Sequence, residues 1–341
     1  MGKYLVTGGA GYVGIHVVLA LLEAGHEVAV LDNLSRGHRK YIPKLVEFFK
    51  IDLADKVGVE QVVASQPWDG VLHFAALSLV GESMRDPFLY LRQNYMNSLN
   101  LIEACVKHGI KRFVFSSTAA LFGGVQTPPI ADTAPIDPGS PYGESKFMIE
   151  RVLVWAERVY GMYSASLRYF NAAGADPKGR AGEDHTPETH LIPLTIDAAL
   201  GYNSGLKVFG NNYPTRDGTC VRDYIHVNDL ASAHLLAMEH IKGRSVRYNL
   251  GNGQGFTNLE VIQSVERVTG KKVPWEWAAP RFGDPDVLVA DSARIRQELG
   301  WKPEYTVLDQ IIETAVRWRV AHPNGYSSLK QKLLVGNSKH I

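Results

Sequence analysis

The sequence predicts an α/β protein: a doubly wound parallel sheet joined to a smaller mixed α/β C-terminal unit. Three observations carry this. Strand-like and helix-like segments alternate through the first half of the chain. A glycine-rich turn sits at the first strand-to-helix junction. After about Asn171 the composition shifts, and Gly, Pro, Asp and His crowd the stretch from Ala172 to Pro187.

Lys3 to Thr7 is a short apolar run that stops at glycines, as a buried strand does. Tyr12 to Ala24 has helical spacing and ends before Gly25, a residue suited to closing a helix. Glu27 to Leu31 reads as a strand and Val46 to Ile51 as a weaker one. Val59 to Ser65 reads as helix and Gly70 to His73 as strand. One long helix is expected over Phe88 to His108, followed by Gly109 and a strand at Arg112 to Phe115. Pro141 favours a helix start before Tyr142 to Tyr160, and Tyr163 to Arg168 follows as strand. Beyond these come a helix at Leu191 to Leu200, a strand at Lys207 to Phe209 and a helix at Asn228 to His240. The chain therefore divides into residues 1–171, which build the large sheet, and 172–323, mainly a second unit with some segments returning to the first. A tail spans 324–341.

Composition excludes several classes. The chain has 341 residues, 45% apolar and 21% charged, which is ordinary for a packed protein. Its 36 basic and 35 acidic residues leave a net charge of +1, which argues against bulk binding to nucleic acid or to a membrane surface. No stretch approaches transmembrane length. The first apolar run, Tyr4-Leu5-Val6, reads as a strand and not as a signal peptide. Cys105 and Cys220 stand at neither metal-ligand nor redox spacing, which suits a reducing, cytoplasmic setting. The twelve histidines contain no i,i+4 metal pair, so no metal site is expected.

Gly8, Gly11 and Gly14 lie in Thr7-Gly8-Gly9-Ala10-Gly11-Tyr12-Val13-Gly14, between the first strand and the first helix. Glycines there permit a tight turn and let backbone N–H groups approach a pyrophosphate, and the helix N-terminus adds partial positive charge. This order of strand, glycines and helix marks a Rossmann-type dinucleotide site. Asp32, at the end of the second strand, suits an adenosine ribose and repels a 2′-phosphate, favouring NAD over NADP; Arg36 tempers that preference. Asp52-Leu53 ends the third strand, where adenine would be met. His73-Phe74-Ala75-Ala76 ends the fourth, where Phe74, Ala75 and Ala76 let a cofactor lie close.

Tyr142 and Lys146 are four apart at a helix start and share one face. Ser116-Ser117-Thr118 ends the preceding strand. The ammonium would favour the phenolate; moving a tyrosine pKa from ~10 to near 7 needs about 4 kcal/mol. With 15 tyrosines in the chain, a Tyr-x-x-x-Lys pair arises by chance, so the glycine motif is what gives this one weight.

These features resemble the extended short-chain dehydrogenases. Within them the resemblance is to UDP-galactose 4-epimerases, through His73-Phe74-Ala75-Ala76, Val80-Gly81-Glu82-Ser83 and Tyr169-Phe170-Asn171-Ala172-Ala173-Gly174. It extends through Phe209-Gly210-Asn211-Asn212-Tyr213-Pro214-Thr215 and Gly218-Thr219-Cys220-Val221-Arg222-Asp223-Tyr224-Ile225-His226-Val227. The likeness runs from about Lys3 to Pro323.

The resemblance implies reversible C4 epimerisation of UDP-galactose and UDP-glucose, by transient hydride transfer to tightly bound NAD through a 4-keto sugar. It implies that Tyr142 removes the 4-hydroxyl proton, with Thr118 and Lys146 beside it. Gly8, Gly11, Tyr12, Val13, Gly14, Asp32, Asn33, Asp52, Leu53, Phe74, Ala75, Ala76, Asn94, Ser116, Tyr142, Lys146 and Tyr169 would hold NAD. Arg222 and Arg281 would meet the diphosphate and Asp284 a ribose. Thr118, Tyr142, Phe170, Asn171, His190, Leu191, Lys207, Phe209 and Tyr224 would surround the rest of the nucleotide sugar. A homodimer would pair the helices at Phe88 to His108 and Tyr142 to Tyr160.

The chain also departs from the family. Thr118 replaces the commoner serine, Ser78 a lysine of some members, Ile15 a serine, and His190 an asparagine near the diphosphate. Leu288 falls where the family limits sugar size, and its intermediate bulk leaves the N-acetyl pair open. Ala119-Ala120 after Thr118 argues against a 4,6-dehydratase, which needs Asp-Glu there. A uronate epimerase or decarboxylase would bring an added basic partner for the carboxylate. A non-catalytic NAD-binding regulator would not need both Tyr142 and Lys146.

Overall fold

The computed structural model describes residues 1–123, 127–241, 243–281 and 284–326. Of the expected tail, 327–341 lies outside the described residues. The first half runs β1 (Lys3–Thr7), α1 (Tyr12–Glu23), β2 (Glu27–Leu31), β3 (Glu47–Phe49), α2 (Lys56–Ala64), β4 (Gly70–His73), α3 (Val80–Ser83), α4 (Pro87–Tyr90), α5 (Asn97–Lys107), β5 (Arg112–Thr118), α6 (Pro141–Tyr160) and β6 (Tyr163–Tyr169). The second runs β7 (Asn171–Ala173), α7 (Leu191–Leu200), β8 (Leu206–Phe209), β9 (Val221–Arg222), β10 (Tyr224–His226), α8 (Val227–His240), β11 (Val246–Leu250), β12 (Phe256–Thr257), α9 (Asn258–Thr269), β13 (Trp275–Ala278), β14 (Val287–Leu288), α10 (Ala293–Leu299) and α11 (Leu308–Ala321).

Seven strands form one parallel sheet in the order β11-β6-β5-β4-β1-β2-β3. Alternation along each strand feeds two apolar layers, which is why these runs are apolar throughout. Tyr4 and Val6 of β1 pack with α1 and α8 on one face. Leu5 packs with α2, α5 and α6 on the other. A third core gathers Ile192 and Ile196 of α7, Leu206 and Val208 of β8, Val261 and Val265 of α9, and Ile311 and Ile312 of α11. Short two- and three-stranded pairings, β10-β7, β12-β9-β14 and β13-β8, stitch this half together.

The sheet reverses its strand order between β1 and β4, and the C-terminal ends of β1, β4 and β5 open at that point. An α/β sheet binds its ligand at such a point. α6 enters from the same end. Ser140 caps it by accepting a hydrogen bond from the N–H of Gly143 at 3.2 Å, Pro141 stands in its first turn, and Gly161 closes it at φ +66°.

One expected element differs. The stretch from Phe88 to His108 is not one regular helix: α4 passes into a wide π-helical turn at Leu91–Met96 before α5. The carboxamide of Asn94, in that turn, donates to the carbonyl of Leu77 at 3.0 Å and to Ser145 Oγ at 3.2 Å, and accepts from the N–H of Leu77 at 2.8 Å. These bonds tie the turn to the loop after β4 and to α6, and such turns recur at functional sites. Among the described residues no helix is long and apolar enough to cross a membrane. Cys105 and Cys220 are buried free thiols.

Candidate active site

The glycine turn is shaped by contact on both sides. Gly8 has φ +71°, and a Cβ there would lie 2.4 Å from the backbone nitrogen of Ala75. A Cβ on Gly14 would lie 2.2 Å from the carbonyl oxygen of Gly8. The turn thus lies against the end of β4, and α1 lies against the turn, with no room for side chains. Gly11 is the residue at which α1 begins. No side chain caps that end, and no acidic residue stands in its first turn. The first-turn N–H groups of Tyr12, Val13 and Gly14 therefore face an open anion site. The Tyr12 phenol turns away and donates to the carbonyl of Gly174 at 2.6 Å.

Asp32 is buried at the end of β2. Its carboxylate accepts from the N–H of Ala10 at 3.0 Å and of Leu34 at 2.8 Å, which fixes the turn to the second strand. Burial raises the Asp32 pKa against the pull of those two N–H groups. Asn33 donates to Asp52 at 2.7 Å, joining the ends of β2 and β3 beside buried Leu53. Arg36 is occupied elsewhere, donating to the carbonyl of Thr186 at 2.7 Å and lying 3.6 Å from Glu82. Phe74 leans on His234 with ring centres 4.8 Å apart, and Ala75 and Ala76 follow it with small side chains. The uncapped helix end, the crowded glycines and the buried carboxylate fit a dinucleotide.

The reactive groups stand at the end of β5. Lys146, almost fully buried, donates from Nζ to the carbonyl of Ser116 at 2.9 Å and lies 4.9 Å from the centre of the Phe115 ring. Ser116 Oγ and Tyr169 Oη are 2.6 Å apart. The Tyr142 phenol stands beside the Thr118 hydroxyl, and the Tyr90 ring meets it edge-on at 6.3 Å. Burial alone sets Lys146, pushing it down to about 7. Burial also raises the Tyr142 pKa, with the Thr118 hydroxyl pulling the other way. The direction is opposite to the lowering expected from Lys146. The reason is that burial takes the phenol out of water, and Lys146 is not among the groups acting on it. A phenolate here needs further positive charge close by.

Behind this set lies a buried ion pair. Arg168 of β6 and Glu150 of α6 are each 2% exposed. The guanidinium donates to the carboxylate at 2.9 and 2.6 Å, and Ser117 Oγ donates to the same carboxylate at 2.7 Å. Glu150 is one turn beyond Lys146, so this clamp holds α6 in register with β5. His73 is held similarly between Thr7 Oγ1 at 2.7 Å and Ser98 Oγ at 2.8 Å. Burial first, then Lys146, pushes it down to about 3 and keeps it neutral.

The remaining expected residues stand on the segments from Phe170 onward. Arg222 of β9 pairs with Asp284 at 2.7 Å, and Leu288 of β14 lies beside it in register. The neighbouring Asp223 carboxylate is buried and accepts from the N–H groups of Asn252, Gly253 and Ala290. Leu288 and Phe170 pack against Leu121, Phe122 and Ile130, next to Thr118. Asn171 pairs with Tyr224 across β7 and β10, and Leu191 opens α7. Arg281 lies 4.0 Å over the Phe209 ring, which makes a cation–π stack. The other two side chains are drawn aside. Lys207 is exposed, 3.7 Å from Glu276. His190 directs Nδ1 at Glu183 and Glu188, 2.9 Å from each.

That last contact belongs to a cluster the sequence reading passed over. Glu183, His185, Glu188 and His190 bring their donor atoms together. A search for helical i,i+4 histidines misses them, because they lie on an irregular segment leading into α7. The legible signal was the run Glu-x-His-x-x-Glu-x-His itself.

Comparison with known proteins agrees with this geometry. Residues 4–251 match the NAD dependent epimerase/dehydratase family. A UDP-glucose 4-epimerase of Lacticaseibacillus casei is 47% identical over 323 residues, covering 94% of this chain and 98% of that protein. The crystal structure of the UDP-glucose 4-epimerase from Brucella ovis in complex with NAD superposes with a TM-score of 0.90. It is 41% identical and covers 93% of this chain and 98% of its own. The UDP-Glc/GlcNAc 4-epimerase of Campylobacter jejuni gives a TM-score of 0.82 at 40% identity, covering 94% and 100%.

Proposed function

The chain belongs to the UDP-glucose 4-epimerases of the NAD dependent epimerase/dehydratase family, and on that premise we propose that it interconverts UDP-galactose and UDP-glucose with NAD as a recycled cofactor. The observation that carries the reading is the placement of Tyr142, Thr118 and Lys146 at the end of β5, beside an uncapped α1 and its glycine turn. Residues 1–171 carry mainly the NAD side and 172–323 mainly the UDP-sugar side.

When bound, NAD supplies a hydride acceptor and a positively charged ring. The first turn of α1 holds the pyrophosphate, Asp32 a ribose, and Lys146 and Tyr169 the nicotinamide end. Tyr142 takes the proton from the sugar 4-hydroxyl as C4 becomes a ketone, with Thr118 hydrogen-bonding at the same oxygen. Tyr142 returns the proton when C4 is reduced on its opposite face. Removing such a proton-transfer group costs about 10²–10⁴-fold in rate. Arg222 and Arg281 hold the diphosphate, Asp284 binds a ribose, and Arg281 over Phe209 forms a wall for the base. The apolar wall of Phe170 and Leu288 lets the ketosugar turn over without fixing one face.

Exposed apolar side chains support a homodimer through two of the helices: Phe88 and Met96 on one stretch, and Trp155, Val159 and Tyr160 on α6. A cytoplasmic setting goes with the buried free thiols.

The test incubates the purified protein with UDP-galactose and follows UDP-glucose by chromatography, with Tyr142→Phe in parallel and UDP-N-acetylgalactosamine as second substrate. Interconversion without net reduction of added NAD, lost in Tyr142→Phe, is expected. No interconversion with NAD supplied overturns the assignment. Turnover of the N-acetyl sugar assigns Leu288 an open pocket; none makes it a barrier.

A further inference from the structure

Beside the start of α1, on the segment that enters α7, four side chains converge. Glu183, His185, Glu188 and His190 each offer one donor atom, and all four atoms lie within 4.8 Å of one another. The nitrogen–oxygen separations are 3.2 Å for His185 Nδ1 to Glu183 and 3.5 Å for His185 Nδ1 to Glu188. His190 Nδ1 is 2.9 Å from each glutamate. A tetrahedral zinc ion, with bonds of ~2.0–2.1 Å, holds its donors about 3.3–3.4 Å apart. The observed separations bracket that spacing.

A second observation is independent of the spacing. His185 Nδ1 is shielded from solvent and makes no hydrogen bond, although two carboxylate oxygens are near it. Those oxygens are close but lie off the line a hydrogen bond needs. A buried ring nitrogen paired only off-line with its neighbours leaves a direction open to a further ligand. The carboxylate of Glu188 is already oriented, since its Oε1 accepts from the N–H of Thr189 at 2.7 Å and of His190 at 2.8 Å. Such outer bonds fix a metal-binding carboxylate before the ion arrives. Two carboxylates and two imidazoles also leave a dication with no net charge in a half-buried place.

We propose that Glu183, His185, Glu188 and His190 form a four-coordinate site for a divalent transition metal of the zinc class. With four protein donors the site is closed, so its role is structural. It holds the segment entering α7 in one shape beside the start of α1: the His185 ring meets the Tyr12 ring edge-on at 6.1 Å, and His190 is the residue at which α7 begins. This proposal stands apart from the assignment of the epimerase reaction, and its readout is metal content.

The experiment uses the full chain, dialysed against a chelator and then against metal-free buffer. Zinc chloride alone is added, unbound metal is removed by gel filtration, and retained zinc is measured by mass spectrometry. One zinc per chain is expected, with His185→Ala and Glu188→Gln each retaining less than a tenth as much. Cobalt(II) in the unaltered protein should give the intense visible absorption of a four-coordinate site. Zinc retained equally by the variants, no zinc retained by the unaltered protein, or only the weak spectrum of six-coordinate cobalt overturns the proposal. An ion-pair cluster alone gives the second of these results. Circular dichroism checks that the variants are folded, and if they are not, the cobalt spectrum decides.

Discussion

Glu150→Gln tests how much of the site's rigidity rests on one buried charge pair. The substitution keeps the volume and one hydrogen-bond acceptor but leaves the Arg168 guanidinium charged, 2% exposed and without its carboxylate. Losing one partner of a buried pair costs about 3–5 kcal/mol, most of it the desolvation of the charge left behind. For 341 residues the unfolding entropy is about 0.7 kcal/mol/K, so the midpoint should fall by about 4–7 °C. Thermal melts read by circular dichroism check the midpoint, and urea unfolding checks the free energy. The sharper control is the double variant Glu150→Met with Arg168→Met. It removes both charges and strands the Ser117 hydroxyl and the Asp132 carbonyl, each a cost near 1 kcal/mol, and it frees Arg247, which lies 3.5 Å from Glu150 but is half-exposed and can turn to solvent. It should lose less than Glu150→Gln alone. A Glu150→Gln loss below about 1 kcal/mol, or a double variant as unstable as the two singles added, refutes the reasoning.

Two further outcomes follow from the same geometry. Lys146 has its pKa lowered from 10.5 to about 7 by burial, so between those values the unfolded chain holds a proton the folded chain has shed. Stability then rises with pH across that window and falls as pH drops through about 7. In nucleotide-free protein, urea unfolding should show the unaltered chain gaining about 2 kcal/mol more than Lys146→Met from pH 7 to 9; equal gains count against it. Gly14→Ala puts a methyl 2.2 Å from the Gly8 oxygen and 2.9 Å from the Gly9 Cα. Calorimetric titration should show NAD binding at least tenfold weaker and stability lower by about 1–3 kcal/mol; unchanged binding separates the turn from the cofactor.

Much of the sheet was legible because its strands are apolar on both faces and end at glycines, as in Lys3–Thr7 and Gly70–His73. The glycine turn, Asp32 and the Tyr142–Lys146 spacing were legible because each is local in sequence. Contacts between distant segments were not. Nothing in the sequence near Phe88 signals that Asn94 would open a π-helical turn, because the partners that hold it there, Leu77 and Ser145, are 17 and 51 residues away. The Arg168–Glu150 clamp and the turning aside of His190 are likewise properties of packing. The direction of the Tyr142 pKa was missed because sequence spacing shows a neighbouring charge but not the loss of water.

The strand order has a consequence for synthesis. β6 pairs with β5 on one side and, on the other, with β11, which is translated about eighty residues later. α1 waits longer still for its cover, about two hundred residues, since α8 (Val227–His240) is made just before β11. At ~5–20 residues per second the nascent chain carries an open sheet edge for about 4–16 seconds, with the apolar face of α1 bare through most of that time. A ribosome pausing in that interval would leave the sheet edge exposed to pairing with other chains, whereas a pause after Leu250 would not. Rare codons between β6 and β11 should therefore lower the soluble yield more than the same codons placed downstream.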